Sequence, residues 1–329
     1  MDNVSLLVFV MVESIETLLL FEFMDIKGPL NTKIITNNSE YWGLKRFNLG
    51  FEYYFCKRIN EKIRNISTVK KIQLAIILII IVLMNNTSYA SLGSPYKIKT
   101  VVIDAGHGGH DVGCIGSHSK EKDVTLALAL KLGKYLEENY PDIRVVYTRK
   151  TDEFIELIER ANIANRAKAD LFISLHCNAN ANKAAYGSET FAMGLHVSEA
   201  NLNVAKRENS VILLEDNYEK NYDGFDPKST EAYIIFSLYQ NVNIDKSLYL
   251  ASKVQDQFTN KLKRYNRGVK QAGFIVLYKT NMPSILIESG FLTNKDDEEF
   301  LTSEEGQNNI AKSIYLAFKA YKEDLEKEK

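Results

Sequence analysis

The chain has little of several residue types on which whole classes of protein depend. Three cysteines in 329 residues cannot form the disulfide framework of a small secreted domain. Lysine plus arginine (41) almost cancels aspartate plus glutamate (42), and no basic run with interleaved aromatics occurs, so we expect no nucleic-acid partner. A composition of 45% apolar and 25% charged residues excludes a disordered chain, a collagen-like fibre and a multi-span membrane protein. We therefore expect a globular protein with a sizeable buried core.

Long apolar runs are scarce as well. The run at 74–84 is much shorter than the ~20 residues that span a bilayer. It follows Lys70 and Lys71, and it precedes the polar stretch 85–87 and then Ser88-Tyr89-Ala90, which has small residues at the −3 and −1 positions of a cleavage site. This pattern predicts a signal peptide over 69–90. The mature protein is then exported and is periplasmic or associated with the cell envelope.

The position of this signal is unusual, because signal peptides lie at the N-terminus. We expect translation to start at Val69, read from a GTG codon. Residues 1–68 would then be mistranslated upstream sequence or a disordered segment. The alternative is a genuine N-terminal extension, with residues 72–86 acting as a short signal anchor.

The segment 91–329 alternates between the patterns of strands and helices. Strands are predicted at 99–104, 144–147, 170–175, 188–193, 274–277 and 284–287. Helices are predicted at 122–139, 154–168, 246–262 and 303–325. This order indicates an α/β fold, a single three-layer domain with a mostly parallel twisted sheet and helices on both faces. In such sheets ligands bind at the carboxyl ends of the strands.

Three predicted strand ends carry side chains with catalytic chemistry. His107 lies in the glycine-rich stretch 104–109, His176 leaves a buried strand, and Glu288 closes an apolar one. Glu121 begins the helix after the glycine-rich stretch. Alone, each has an ordinary explanation: a turn residue, a hydrogen-bonded core histidine, a paired carboxylate, or an acidic residue that favours a helix N-terminus. Together, two imidazoles and a carboxylate can form a catalytic zinc site, and a second carboxylate can act as its general acid and base.

Several stretches of this segment are similar to a known family. They are 101–116, 121–130, 148–165, 169–180, 187–191 and 287–294. In this order they resemble the zinc-dependent N-acetylmuramoyl-L-alanine amidases of bacterial cell-wall remodelling. By this resemblance His107, Glu121 and His176 hold one Zn²⁺ ion, and Glu288 is the catalytic glutamate. The implied reaction cuts the amide between N-acetylmuramic acid and L-alanine of peptidoglycan, in wall remodelling or daughter-cell separation.

The resemblance leaves alternatives. His110, His118 and His196 match no ligand position of the family, although His118 lies only three residues before Glu121. A zinc peptidase that acts on peptidoglycan stem peptides would use the same chemistry on another bond. A non-catalytic wall-binding module would share the fold, but it would be expected to lack one of the four site residues.

The two cysteines after the predicted cleavage site depart from the family pattern. Cys114 and Cys177 stand where relatives often have a small residue. In an oxidising compartment they could form a disulfide between the glycine-rich loop and the third strand. They could also be adventitious zinc ligands, or two small buried residues.

The stretch at about 195–245 is longer than an ordinary connection in such a fold. Its segment 200–214 is predicted to be helical. In regulated relatives a helix inserted near this point covers the active site, and a separate activator protein displaces it. By resemblance, residues 198–220 would form such a lid, with Glu208 or Glu215 directed toward the metal. The alternative is a helix at the domain edge with solvated charges.

Overall fold

The computed structural model describes residues 97–216, 218–237 and 242–327. The predicted signal peptide and the segment before it lie outside the described residues, so both remain predictions. Within the described ranges, no helix has the length and apolarity needed to cross a membrane.

The described chain contains six strands and nine α-helices in alternating order. The strands are β1 (Thr100–Ala105), β2 (Arg144–Tyr147), β3 (Leu171–Asn178), β4 (Ser188–Met193), β5 (Asn266–Ala272) and β6 (Ser284–Phe291). The helices are α1 (Glu121–Asn139), α2 (Leu157–Arg166), α3 (Glu199–Asn209), α4 (Tyr218–Asn221), α5 (Thr230–Ser237), α6 (Ile244–Asn260), α7 (Ile275–Tyr278), α8 (Lys295–Thr302) and α9 (Glu304–Lys327). A 3₁₀ helix, Ser210–Leu214, continues directly from α3.

The strands form one sheet in the order β2-β1-β3-β6-β4-β5. The neighbours β2, β1, β3 and β6 are parallel, and β4 pairs with β6 in the antiparallel direction. β5 is parallel to β4 and completes that edge of the sheet. The predicted mostly parallel α/β fold is therefore confirmed.

Side chains of the central strands alternate between two apolar layers, as the two-residue period of a strand requires. Val101 and Ile103 pack in one layer with apolar residues of α1, α6 and α9. Val102 and Phe172 pack in the other layer with residues of α2, α3 and α7. Because both faces are covered, the middle strands read as continuous apolar runs.

At the antiparallel edge of the sheet, one predicted strand was wrong and one strand was missed. The run 274–277 is not a strand, because the helical turn α7 begins at Ile275. Periodicity cannot separate a strand from a buried helical turn in so short an apolar run. The neighbouring strand β5 was missed because it is an edge strand with only one fully buried residue and two basic side chains.

The closing helix predicted at 303–325 is confirmed as α9, Glu304–Lys327. The helix α8, which was not predicted, precedes it, and Ser303 between the two has extended backbone. Asn294 begins the first of them with a side-chain cap on the backbone N–H of Asp297.

Candidate metal centre

The predicted site residues meet where the parallel strands end. His107 follows β1, His176 lies near the end of β3, and Glu288 lies on β6 directly opposite His176 in the sheet register. Glu121 is the first residue of α1. The sheet therefore brings side chains that are far apart in sequence to one edge, as expected for this class of fold.

Four buried side chains form a compact cluster of ligand atoms. They are His107, Glu121, His176 and Glu208, and one ligand atom of each lies within 4.8 Å of all the others. His107 Nε2 is 3.1 Å from Glu121 Oε1, and His176 Nδ1 is 3.2 Å from the same oxygen. Glu208 Oε2 is 3.3 Å from His107 Nε2 and 3.0 Å from His176 Nδ1. The structure thus joins the three predicted ligands and adds a carboxylate from α3.

The donor set fits a divalent cation. Among the described residues, His107 Nε2 and Glu208 Oε2 are buried without a hydrogen-bond partner, and both atoms face the cluster. Two carboxylates with two neutral imidazoles carry two negative charges, which a divalent ion balances. Imidazole nitrogens and carboxylate oxygens are ligands that Zn²⁺ accepts in tetrahedral sites. These side chains could therefore hold a metal ion.

The same electrostatics shift the pKa values of the cluster. Burial opposes the charged imidazole of His107, but Glu121 and Asp111 raise its pKa well above the ordinary value. Burial likewise opposes the charged form of His176, but Glu208 and Glu121 raise its pKa to about 9. The carboxylates thus attract positive charge, whether it is a proton or a metal ion, to the imidazole nitrogens.

Neighbouring groups hold each of these ligands in place. His107 Nδ1 lies 2.8 Å from Asp111 Oδ2, which leaves Nε2 free to face the cluster. Glu121 accepts the backbone N–H of Cys114 at Oε2 and that of Cys177 at Oε1, both at 2.8 Å. Gly106 allows the close approach of His176, because a Cβ at that position would overlap the imidazole ring.

Glu288 lies beside the cluster rather than in it. Its Oε1 accepts a hydrogen bond from Arg207 Nη2 at 3.1 Å, and its Oε2 is buried without a hydrogen-bond partner among the described residues. Burial raises the pKa of Glu288 well above its ordinary value, although Arg207 opposes the shift and Glu208 adds to it. A buried carboxyl group with one free oxygen suits proton transfer.

The helix α3 lies against the site. Arg207 contacts Glu288, and the next residue, Glu208, enters the metal cluster. The space left beside the cluster is a cavity of about 10 Å³, partly lined by Glu208 and Asn209. That volume holds about one water molecule.

Glu215, the other acidic residue predicted to face the metal, is not part of the ligand cluster. It accepts the backbone N–H of Leu157 at 2.8 Å and the hydroxyl of Tyr222 at 2.5 Å, and so caps the start of α2. The segment 200–214 is helical as predicted, but α3 ends at Asn209 and a 3₁₀ helix follows. That change of helical period separates the directions in which Glu208 and Glu215 point.

The other histidines and the two cysteines of the described ranges lie outside the cluster. His110 packs against Phe154 with ring centroids 4.0 Å apart, and the exposed His118 lies 3.4 Å from a carboxylate oxygen of Glu298. His196 follows β4 and is not a member of the cluster either. Cys114 and Cys177 are free thiols here, and Cys114 Sγ donates to the carbonyl of Cys177 at 3.2 Å. Their pairing in an oxidising compartment stays a prediction.

Sequence reasoning missed several residues that complete the site. Asp111 orients His107 and Arg207 pairs with Glu288, but neither contact has a sequence signature. Asp111 is four residues after His107, so a carboxylate in the same loop was the only available signal.

Comparisons with known proteins identify the family of this chain. Residues 101–320 match the model of a family described as N-acetylmuramoyl-L-alanine amidase. The chain belongs to the N-acetylmuramoyl-L-alanine amidase family. The resemblance seen in the sequence motifs and the predicted enzyme class are thereby confirmed.

Two relatives show how much of the chain the similarity covers. The amidase AmiC of Escherichia coli is 33% identical over 227 residues, which are 67% of this chain and 52% of that protein. The amidase AmiA of E. coli K12 is 33% identical over 219 residues, or 66% of this chain and 73% of that protein. The chain therefore matches about half of the length of one relative and about three quarters of the other.

Solved structures share the fold. An N-acetylmuramoyl-L-alanine amidase from Clostridium difficile 630 is 32% identical with a TM-score of 0.51, over 69% of this chain and 97% of that one. The CwlD amidase of Clostridioides difficile, solved in complex with the GerS lipoprotein, is 27% identical with a TM-score of 0.50, over 68% of this chain and 98% of that one.

Proposed function

We propose that this chain hydrolyses the amide between N-acetylmuramic acid and L-alanine of peptidoglycan with one Zn²⁺ ion. The observation that carries the proposal is the buried cluster of His107, Glu121, His176 and Glu208 with Glu288 beside it. Family membership favours this amide over the bonds within the stem peptide. When bound, Zn²⁺ supplies a Lewis acid and lowers the pKa of a coordinated water to near neutrality.

The protein residues bind the metal and transfer the proton. His107, Glu121 and His176 come from the body of the domain and hold the metal. Glu288 accepts a proton from the attacking water at Oε2, the oxygen that has no hydrogen-bond partner among the described residues. It then delivers this proton to the departing nitrogen of L-alanine. Its raised pKa, caused by burial, suits both steps.

The described conformation is proposed to be the closed, autoinhibited form. Glu208 lies where a catalytic zinc site needs an open position for water. Arg207 donates a hydrogen bond to Oε1 of Glu288, the carboxyl group proposed to transfer the proton. Arg207 and Glu208 thus occupy the side of the cluster that the attacking water and the substrate amide would need. Substrate entry therefore requires movement of α3, which a separate activator protein would stabilise. The CwlD–GerS complex is an example of a related amidase with a protein partner.

Export is part of the same proposal, because the substrate lies outside the cytoplasm. The signal pattern at 69–90 supports it. N-terminal sequencing of the protein recovered from the envelope fraction is expected to give a start at Ser91. A mature chain that retains residues before Val69 would show that the extension is genuine.

The reaction is tested by digesting purified peptidoglycan and analysing the products by mass spectrometry. The wild-type chain and the Glu208→Ala variant are expected to release stem peptides with N-terminal L-alanine. Glu288→Gln in either background should retain one Zn²⁺ per chain and lose turnover, because Glu288 handles protons rather than metal. Products cut within the stem peptide would identify a peptidase. No products from the zinc-loaded Glu208→Ala variant would favour a wall-binding module.

A further inference from the structure

Two arginines lie beneath the loop that carries His107. Arg149 follows β2 and Arg160 lies in the first turn of α2. Only 2% of Arg149 and 1% of Arg160 is exposed. A buried guanidinium group is costly unless its donors find acceptors, so the acceptors indicate the role of each arginine.

Four of their hydrogen bonds go to three successive backbone carbonyls of the loop. Arg160 Nη2 donates to the carbonyl of His107 at 2.8 Å, and its Nη1 donates to that of Ala105 at 2.7 Å. Arg149 Nε donates to Ala105 at 2.9 Å, and its Nη2 donates to Gly106 at 2.8 Å. The two side chains thus satisfy every carbonyl from the end of β1 to the first metal ligand.

The loop needs these donors because its backbone leaves the sheet without entering a helix. His107 has φ of 62°, a left-handed conformation that costs a residue with a Cβ about 1–2 kcal/mol. A buried carbonyl without a donor costs a further ~1–3 kcal/mol. Such a conformation persists only where the surrounding structure enforces it.

Arg160 and Asp111 hold His107 at opposite ends. Asp111 fixes the ring at Nδ1, and Arg160 fixes the backbone at the carbonyl oxygen. Nε2 is then directed at Glu121 Oε1, 3.1 Å away. If either anchor were lost, the imidazole could turn out of the cluster.

The planar fork of arginine is essential to this arrangement. Beyond the loop, Arg160 also donates to Asp104 Oδ1 at 2.9 Å and to the carbonyl of Ile155 at 2.9 Å. The hydroxyls of Thr148 and Ser174 donate to the same Asp104 carboxylate and keep it oriented. The compact ammonium group of a lysine cannot reach all of these acceptors at once.

We propose that Arg160 is a positioning residue of the metal site: it sets the backbone of His107 and thereby the affinity for the metal, and Arg149 supports the same loop. This inference rests on the proposed metal-dependent function. A purely structural role would stabilise the fold without changing metal affinity in the molecules that fold.

The test compares Arg160→Lys and Arg149→Lys with Arg166→Lys in the full chain. Arg166 lies on the same helix as Arg160, but it is exposed and pairs with Glu159 at the surface. Zn²⁺ affinity is measured by competition with a fluorescent chelator, and the free energy of unfolding of the metal-free protein is measured with urea. The visible absorption of the Co²⁺-substituted protein reports the ligand geometry.

Arg160→Lys is expected to weaken Zn²⁺ binding by about 10- to 100-fold, the range typical when an outer contact of a metal ligand is lost. Its Co²⁺ spectrum should change as well. Arg149→Lys should show a smaller loss in the same direction, and Arg166→Lys should bind Zn²⁺ as the wild type does.

Wild-type Zn²⁺ affinity in folded Arg160→Lys would overturn the inference, even if the variant unfolds more easily. If Arg160→Lys does not fold, Arg149→Lys decides by the same comparison, and wild-type affinity there overturns it. A wild-type chain that binds no Zn²⁺ would instead contradict the proposed function itself.

Discussion

Replacement of Glu208 by alanine is expected to raise the basal amidase activity. Glu208 Oε2 lies 3.3 Å from His107 Nε2 and 3.0 Å from His176 Nδ1, so its carboxylate joins α3 to both imidazoles. The variant removes that connection but leaves His107, Glu121 and His176 to hold the metal. It therefore favours the open form without removing the three ligands that come from the body of the domain.

The size of the effect follows from the contacts that are lost. The two contacts of Glu208 are ionic and share one oxygen, so we count them together as one contact with the strength of a hydrogen bond to a charged group, about 1.5–3 kcal/mol. A net loss of about 2–3 kcal/mol raises the ratio of open to closed molecules by about 30- to 150-fold. Two other contacts still hold α3 in the closed position: Arg207 pairs with Glu288, and Asn209 donates to the carbonyl of Gly273. We therefore expect an increase in the lower part of that range.

The assay is release of dye-labelled peptidoglycan by purified chains at saturating Zn²⁺, without any partner protein. Glu199→Ala is the matched control, because Glu199 is an exposed residue at the start of the same helix. Zinc content and the urea unfolding curve verify that each variant is folded and loaded. A folded, zinc-loaded Glu208→Ala chain with the wild-type basal rate would refute autoinhibition by α3.

Three further changes test the structure around the site. Gly106→Ala is expected to abolish zinc binding, measured by equilibrium dialysis, because its Cβ would overlap the His176 ring. Although burial opposes ionisation, hydroxyl and backbone donors lower the pKa of Glu298 to about 2. Above the ordinary pKa of a glutamate, the wild type should therefore have a free energy of unfolding in urea about 1–3 kcal/mol higher than that of Glu298→Gln. This difference should disappear as the pH falls toward 2. Tyr222→Phe should lower the free energy of unfolding by about 1–3 kcal/mol without changing zinc affinity, because it removes the hydrogen bond to Glu215 and the acceptor of the Ile158 N–H.

Much of the fold was predictable because buried strands and helices have apolar residues at regular spacings in the sequence. The strands β2 and β4 have the predicted bounds, and β1, β3 and β6 differ from theirs mainly in length. Their apolar runs are long enough to identify, since parallel strands are covered on both faces. The edge strand β5 has little apolar surface to bury, so its sequence carries almost no signal.

The metal ligands and the catalytic glutamate could be proposed from the sequence for a related reason. His107, His176 and Glu288 stand at strand ends, and the topology of a parallel sheet brings strand ends together. The contributions of Arg149 and Arg160 could not be predicted in the same way. Arg149 follows a strand and Arg160 lies in a helix. In the sequence each is an isolated charged residue, and such residues are usually solvated.

The choice between Glu208 and Glu215 shows where periodicity fails. Residues seven apart share a face only if one α-helix spans both. Here α3 ends between them, so Glu208 enters the cluster and Glu215 caps α2. Whether a helix continues as α or 3₁₀ depends on tertiary packing that the local sequence does not specify.

The most direct test of the central claim is the zinc content of single-histidine variants after dialysis against excess Zn²⁺. If one ion lies among the four clustered side chains, wild type and His118→Ala should each retain one Zn²⁺ per chain. His107→Ala and His176→Ala should retain little or none, because each loses an imidazole of the cluster. Full zinc content in His107→Ala together with its loss in His118→Ala would contradict this assignment of the metal centre.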